Sequence, residues 1–473
     1  MRLMRYTPLR GMEAVNAAFL RIPKPEIRQM LERRDSLSAK HGLMMYTSKG
    51  TQKVIDVQMR PWLMDAAQKR FFHRATRLLR SALARVMPLY LADPAVRRVL
   101  PLEPEEHEWM LRANAGGAQR PQAVLDRLDS TATFACSDWA DNFWFLEPNS
   151  VGIGGVHYIQ ATCELTKDWV IPSLRRSLPD LSFVFPDDIR EILFKLMQRH
   201  ARAIGRKLRR VVFLEDQSVN EGTDEFSSVA RQFTRWGVQA VTADPRDIVA
   251  RADELLVRGK PVDLFYRDTE ITELFEMAGK KTKLLDGMRE GFLRNQMVSS
   301  IAGEFDHKSA WELFTNPEFS RHFTLLQKNL FRKHVLWTRL LWQRKTTDRQ
   351  GKTIDLFPYA RRNRENLVVK PNRMYGGEGV FFGHQMTQKA WEHQLDRAAR
   401  KPGTHVVQQA TQVRAELFPV ADRSGKVRLE PYYAVTGFAA TRDGLAVLGR
   451  SSKGSVVNVS RQGGLIAIWS LGN

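Results

Sequence analysis

The chain has 473 residues, of which 43% are hydrophobic and 26% charged, with a formal net charge of +21 and two cysteines. That length exceeds one small core and predicts roughly two to three structural units, and the composition excludes wholesale disorder. Cys136 and Cys163 are too few for a disulfide framework, no CxxC or Cys/His cluster suggests zinc, and no run reaches the roughly 18 apolar residues of a membrane span.

The N-terminal stretch MRLMRYTPLRGMEAVNAAFLRIP is basic but lacks the apolar core and small-residue cleavage site of a signal peptide, so a reducing cytoplasm with no membrane partner is expected. Residues 1–110 read as a helical N-terminal region. In PWLMDAAQKRFFHRATRLLRSALARVMPLYL apolar residues recur three and four apart with Arg and Lys between them, which makes a packing face. From 111 to 200 strands enter. RLDSTATFAC and NFWFLEPNS flank the polar turn SDWADN, and a hairpin there would bring Arg127 and Asp129 near Glu147 and Asn149.

Residues 201–300 alternate. KLRRVVFLED reads as a strand, SSVARQFTRWG as a helix ending at glycine, VQAVTADP as a strand, DIVARADELLVRG as a helix and KPVDLFYRD as a third strand. That order predicts a small, largely parallel α/β domain. Residues 301–473 open on two helical stretches, SAWELFTN and FTLLQKNLFRKHVLWTRLLWQ. ENLVVKPNRMYGGEGVFFG then gives two strands around a glycine-rich turn, KAWEHQLDRAAR a helix, and THVVQQATQV, KVRLEPYYAVTGFAA and LAVLGRSSKGSVVNVS a strand-rich tail.

The basic charge attracts polyanions, whether nucleic acid, anionic lipid or a nucleoside triphosphate. A solvated basic surface accounts for it as well. Nucleic acid as a partner rests on this charge alone, because no zinc finger, aromatic RNA-binding signature or basic tail supports it.

Two motifs carry chemistry. Lys370 ends an apolar strand, and Gly376, Gly377 and Gly379 follow it. Glycines between strands let backbone N–H groups approach a phosphate chain while a strand-borne lysine fixes a positive charge. The same turn also serves as an ordinary hairpin, and Glu378 within it is expected to face solvent. The second motif is LEPNS, where Glu147 and Asn149 fall on one face of a strand. A carboxylate and an amide oxygen side by side suit Mg²⁺, with Asp129 completing the set and Arg127 facing a γ-phosphate. A strand end entering a turn has the same composition.

Together, an E-x-N strand, a lysine before GGxGV, a Gln-bearing strand and an Arg–Asn pair before a terminal GG resemble the ATP-grasp superfamily. The metal-ligand residues come first rather than last, which looks like the circularly permuted branch that includes glutathionylspermidine synthase. That branch has an R-x-D pair before E-x-N, similar to Arg127-Leu128-Asp129 before Glu147-Pro148-Asn149. Asp306-His307-Lys308-Ser309 is similar to its D-K-S phrase with one residue inserted, and PVDLFYRD to a phrase of its middle domain. The resemblance covers residues 111 to 473.

The resemblance implies an α/β (α+β) ATP-grasp fold in circularly permuted order. Its parts are a helical N-terminal region (1–110), a metal-ligand half (111–200), a small parallel α/β substrate domain (201–300) and an ATP-binding half (301–473). It implies ATP and Mg²⁺ as cofactors, and an ATP-dependent ligase joining a small-molecule carboxylate to an amine through an acyl phosphate. A phosphotransferase on the same scaffold and a non-catalytic nucleotide or nucleic-acid binder are the alternatives.

By position, Lys308 and Lys370 would contact the phosphates from two sides, and Tyr375, Gly376, Gly377 and Gly379 would fold over them. Gln408, Gln409 and Thr411 would face the purine, with Glu430 a weaker hinge or ribose contact. Arg127 and Arg450 would meet the transferring phosphate, with Asn458 beside it. Asp129, Glu147 and Asn149 are the implied metal ligands. The long interval before Glu147 leaves Asp138 and Asp141 open in place of Asp129. Asp263, Tyr266 and Arg267 are expected at the acceptor or carboxylate, Arg267 as a clamp.

Overall fold

A computed structural model describes residues 10–46, 51–115, 120–219, 222–375, 377–454, 457 and 463–472. The architecture is mixed α/β, with sixteen α-helices and several separate sheets among the described residues. None of these helices is long and apolar enough to cross a membrane.

The N-terminal region is mainly helical, as its apolar spacing predicts. Its longest helix, Ala66–Leu83, begins later than the apolar pattern does. Asp65 caps it, with Gln68 returning the bond in a capping box, and the preceding Trp62–Met64 is a strand beside Ile468–Leu471. This helix buries Phe72, Ala75, Leu79 and Ala82 along one stripe. Phe72 stacks on Phe438 at 4.7 Å between ring centroids, so the helix fixes the floor of the large C-terminal sheet. A stacked aromatic pair adds about 1 kcal/mol beyond its buried area.

The middle of the chain forms a parallel sheet in the order Met297–Val298, Leu264–Arg267, Arg210–Leu214, Gln239–Ala243. Helix Glu225–Arg235 connects its central and edge strands and buries Phe226, Val229, Ala230 and Phe233 at helical spacing. The segment DIVARADELLVRG departs from the expected helix. Val249–Ala250 and Leu255–Val257 pair antiparallel, and a two-residue turn at Arg258 and Gly259 leads to Lys260–Pro261. The apolar run Leu255–Val257 is buried throughout, which a single helical stripe does not do.

Two antiparallel sheets follow. One has the order Thr338–Leu340, His405–Gln409, Leu367–Pro371, Phe381–Phe382. Its edge strand lies where the sequence pattern extends the preceding helix. That helix, Leu325–His334, stops at Val335, whose extended backbone starts the β-branched and aromatic run VLWT. The other sheet has the order Gly464–Ile466, Gly444–Ser452, Val427–Thr441, Arg127–Ser130, Phe145–Asn149, with Ala415–Ala421 also paired to Val427–Thr441. Strands from the first third of the chain thus complete a sheet built from its end.

Candidate active site

Arg127–Ser130 and Phe145–Asn149 pair antiparallel with Arg127 opposite Asn149 and Asp129 opposite Glu147. Because strand side chains alternate, all four project to one face. On the other flank, Asp129 lies opposite Gly437. A Cβ at Gly437 would meet Asp129 Oδ1 at 2.7 Å and Arg127 Cδ at 2.8 Å. Only a bare backbone there lets both charged side chains lie across the strand.

These residues line a cavity of about 580 Å³ between the two antiparallel sheets. One sheet contributes Arg127, Asp129, Glu147, Asn149 and Arg450, and the other Lys370, Gln408 and Gln409. Tyr375, Gly377 and Thr411 also line it. Residues far apart in sequence therefore share one space.

The charges are arranged unevenly. Asp129 accepts from Arg127 Nε at 2.9 Å and from Arg450 Nη2 at 2.7 Å. Burial would raise its pKa, but the two guanidinium groups prevail and hold it at about 2. Arg127 also donates to the Gly154 carbonyl at 2.6 Å. Asn149 donates its amide nitrogen to the Arg127 carbonyl at 3.2 Å, leaving the amide oxygen for another partner. The Glu147 carboxylate stands 3.5 Å from the Lys308 ammonium, which donates to the Met374 carbonyl at 2.6 Å. Lys370 makes no ion pair among the described residues. Burial and the neighbouring Lys308 push its pKa down to about 8, with Glu147 and Asp129 opposing.

The turn after Lys370 joins Leu367–Pro371 to Phe381–Phe382. Gly377 and Gly379 have φ of 72° and 67°, in the left-handed region that L side chains avoid. Tyr375 and Glu378 are exposed. Beneath the turn, Val368, Phe382, Leu336 and Leu146 make an apolar wall. Gln408 spends its nitrogen on the Leu146 carbonyl and Thr338 Oγ1, and its Oε1, like that of Gln409, is buried without a partner. An apolar slot edged by unmet amide oxygens fits a purine with an exocyclic amine. Gln408→Leu removes the donor to the Leu146 carbonyl and Thr338 Oγ1 and is expected to lower stability by about 1–3 kcal/mol, read by thermal denaturation.

No group of three or more His, Cys, Asp or Glu among the described residues could hold a metal. Two carboxylates and one amide oxygen among four cations form instead a partial hard-oxygen set. It suits Mg²⁺ that takes its remaining ligands from phosphate and water.

Other expected residues fall elsewhere. Gly376 and Asn458 lie outside the described residues. Asp138 forms a two-pronged ion pair with Arg414 at 2.7 and 2.6 Å, and neither it nor Asp141 lines the cavity. Asp138→Asn should therefore change stability by no more than about 1 kcal/mol, read by thermal denaturation. Glu430 is paired with Arg428 and Lys453 away from the cavity.

Arg267, expected as a carboxylate clamp, does not line the cavity. It is fully buried, and four of its five N–H donors go to Glu304, at 2.5 Å, and to the carbonyls of Ser299, Thr269 and Ser300. Asp263 accepts from the backbone of Arg209 and Arg210, and Tyr266 packs between Phe213 and Phe226. These three hold the middle sheet together.

Sequence reasoning missed an acidic wall. Glu225, Asp268, Glu270 and Glu273 also line the cavity. Asp268 follows the carboxyl end of Leu264–Arg267, the place where open parallel sheets bind ligands. Burial and the nearby Glu225, Glu273 and Glu215 carboxylates push its pKa up to about 7. Glu225 accepts from the Gly155 and His157 amides at 2.8 and 3.0 Å and so fixes the loop after the E-x-N strand. The phrase RDTE, directly after a predicted strand, was the available signal.

No family model matches the chain, and no curated protein matches it. Among solved structures it is similar to a glutathione synthetase-like effector, GSS30, from Globodera pallida in its apo form, with a TM-score of 0.62 and 11% identity. The match covers 96% of this chain and 98% of that one. At that identity the likeness is one of fold, and it extends over nearly the whole length.

Proposed function

We propose that the chain is an ATP-grasp ligase in circularly permuted order that binds Mg-ATP between its two antiparallel sheets. In this reading it joins a small-molecule carboxylate to an amine. The observation that carries it is the shared cavity. The E-x-N strand, the lysine strand and Arg450 face one space although they come from opposite ends of the chain.

Lys370, Lys308, Arg127 and Arg450 neutralise the phosphates, and Asp129, Glu147 and Asn149 hold the metal. The metal would supply charge neutralisation at the β- and γ-phosphates. A substrate carboxylate placed against Arg450 would take the γ-phosphoryl group, and an amine would then displace phosphate from the acyl phosphate. The chain contributes position and electrostatics rather than a covalent nucleophile. The acidic wall supports an amine, because buried carboxylates near one another favour a cation among them. Two buried, unpaired cysteines fit a reducing cytoplasm.

The test is release of ADP from Mg-ATP in the presence of pooled amino acids, polyamines and small peptides, with hydroxylamine added to trap an acyl phosphate as hydroxamate. ADP release with hydroxamate supports a ligase. A stable phosphorylated product instead indicates a phosphotransferase. A chain that neither binds nor turns over Mg-ATP would overturn the proposal.

A further inference from the structure

The stem of the glycine-rich turn is held by a residue for which the phosphate site has no direct use. Arg373 lies between Asn372 and Met374, just before the glycines, and does not line the cavity. Its guanidinium meets Glu106 through two parallel bonds, both 2.7 Å, and Glu270 at 2.6 Å. Glu106 is fully buried on helix Pro104–Ala113 of the N-terminal region. Glu270 belongs to the acidic wall; its Oε2 is taken by Arg373 and its Oε1 has no partner. A third carboxylate, Glu304, stands 3.8 Å away and is already paired with Arg267.

From the other side Lys308 holds the same stem through the Met374 carbonyl at 2.6 Å, while its backbone N–H donates to the Asn372 carbonyl at 3.0 Å. Planar, two-pronged arginine–carboxylate bonds fix orientation as well as distance. A lysine in place of Arg373 would keep the charge and lose the fork.

We propose that Arg373 is a positioning residue that sets the glycine-rich turn over the nucleotide phosphates by bracing its stem against Glu106 and Glu270. The N-terminal helical region, which lies outside the stretch resembling ATP-grasp proteins, thereby becomes part of the nucleotide site. The inference rests on the proposed Mg-ATP site.

The test uses the full chain and the variants Arg373→Gln, Arg373→Lys and Glu106→Gln, titrated with Mg-ATP and separately with adenosine. A displaced turn affects ligands that carry phosphates. Arg373→Gln and Glu106→Gln should therefore weaken Mg-ATP about tenfold or more and leave adenosine unchanged, with Arg373→Lys between them and the parent. Equal loss for both ligands, or no loss in a folded variant, overturns the proposal. If Arg373→Gln does not fold, Arg373→Lys and Glu106→Gln carry the comparison.

Amide hydrogen exchange at Met374, Tyr375 and Gly377 without nucleotide decides independently. Faster exchange in Arg373→Lys and Glu106→Gln than in the parent supports the brace, and unchanged exchange overturns it. A parent chain that binds neither ligand would end the Mg-ATP reading, and the exchange measurement would still decide the role of Arg373.

Discussion

Glu147→Gln is expected to reduce Mg-dependent ATP turnover at least about 100-fold while leaving the melting midpoint near that of the parent. The side chain reaches the cavity, and its ion-pair partner is Lys308 at 3.5 Å. Glutamine keeps the shape and one oxygen but removes the charge, and a hard divalent cation depends on that charge. Lys308 keeps the Met374 carbonyl at 2.6 Å and the glutamine oxygen as acceptors, so the ammonium is not left unpaired and the fold has little to lose. Adenosine binding, which needs no metal, should be unaffected. A variant with normal turnover would place the metal elsewhere.

The half of the site that was legible in the sequence is the half governed by local rules. Period-two alternation puts Arg127 with Asp129 and Glu147 with Asn149 on one face, and the structure pairs those two strands in that register. The lysine strand and its glycine-rich turn were equally legible, since positive φ at Gly377 and Gly379 is a local demand. Gly437 was not legible. Its role appears only once Val427–Thr441 lies beside Arg127–Ser130, and nothing in VTGFAA announces that neighbour.

Burial decided the other departures. Arg267 ends an apolar strand, the position expected of a substrate clamp, but it closes a buried ion pair with Glu304 instead of facing the cavity. The acidic wall draws Glu225 from one helix, Asp268 from the end of a strand and Glu270 and Glu273 from the start of another helix. Only the parallel register of the middle sheet brings them together. DIVARADELLVRG shows the limit of periodicity itself. Its apolar residues fit a helical stripe, yet the consecutive Leu255, Leu256 and Val257 bury more completely as a strand.

Lys370→Met is expected to weaken Mg-ATP about 100-fold and to leave the fold as stable as the parent or more so. A methionine fills the space of the lysine stem and removes a charge that burial penalises. That penalty is visible in the lysine pKa, which falls from 10.5 to about 8. Between those values the unfolded chain binds more protons than the folded one, so this lysine makes stability rise with pH across that window. The contribution should vanish in the methionine variant. Nucleotide binding has the opposite sign. A triphosphate beside Lys370 would restore its proton, so binding takes up a proton above about pH 8 and affinity falls as pH rises further. Calorimetry in two buffers of different ionisation enthalpy would read that uptake in the parent and its loss in the variant. If Lys370→Met bound Mg-ATP as tightly as the parent, with the same proton uptake, the lysine strand would not be the phosphate site.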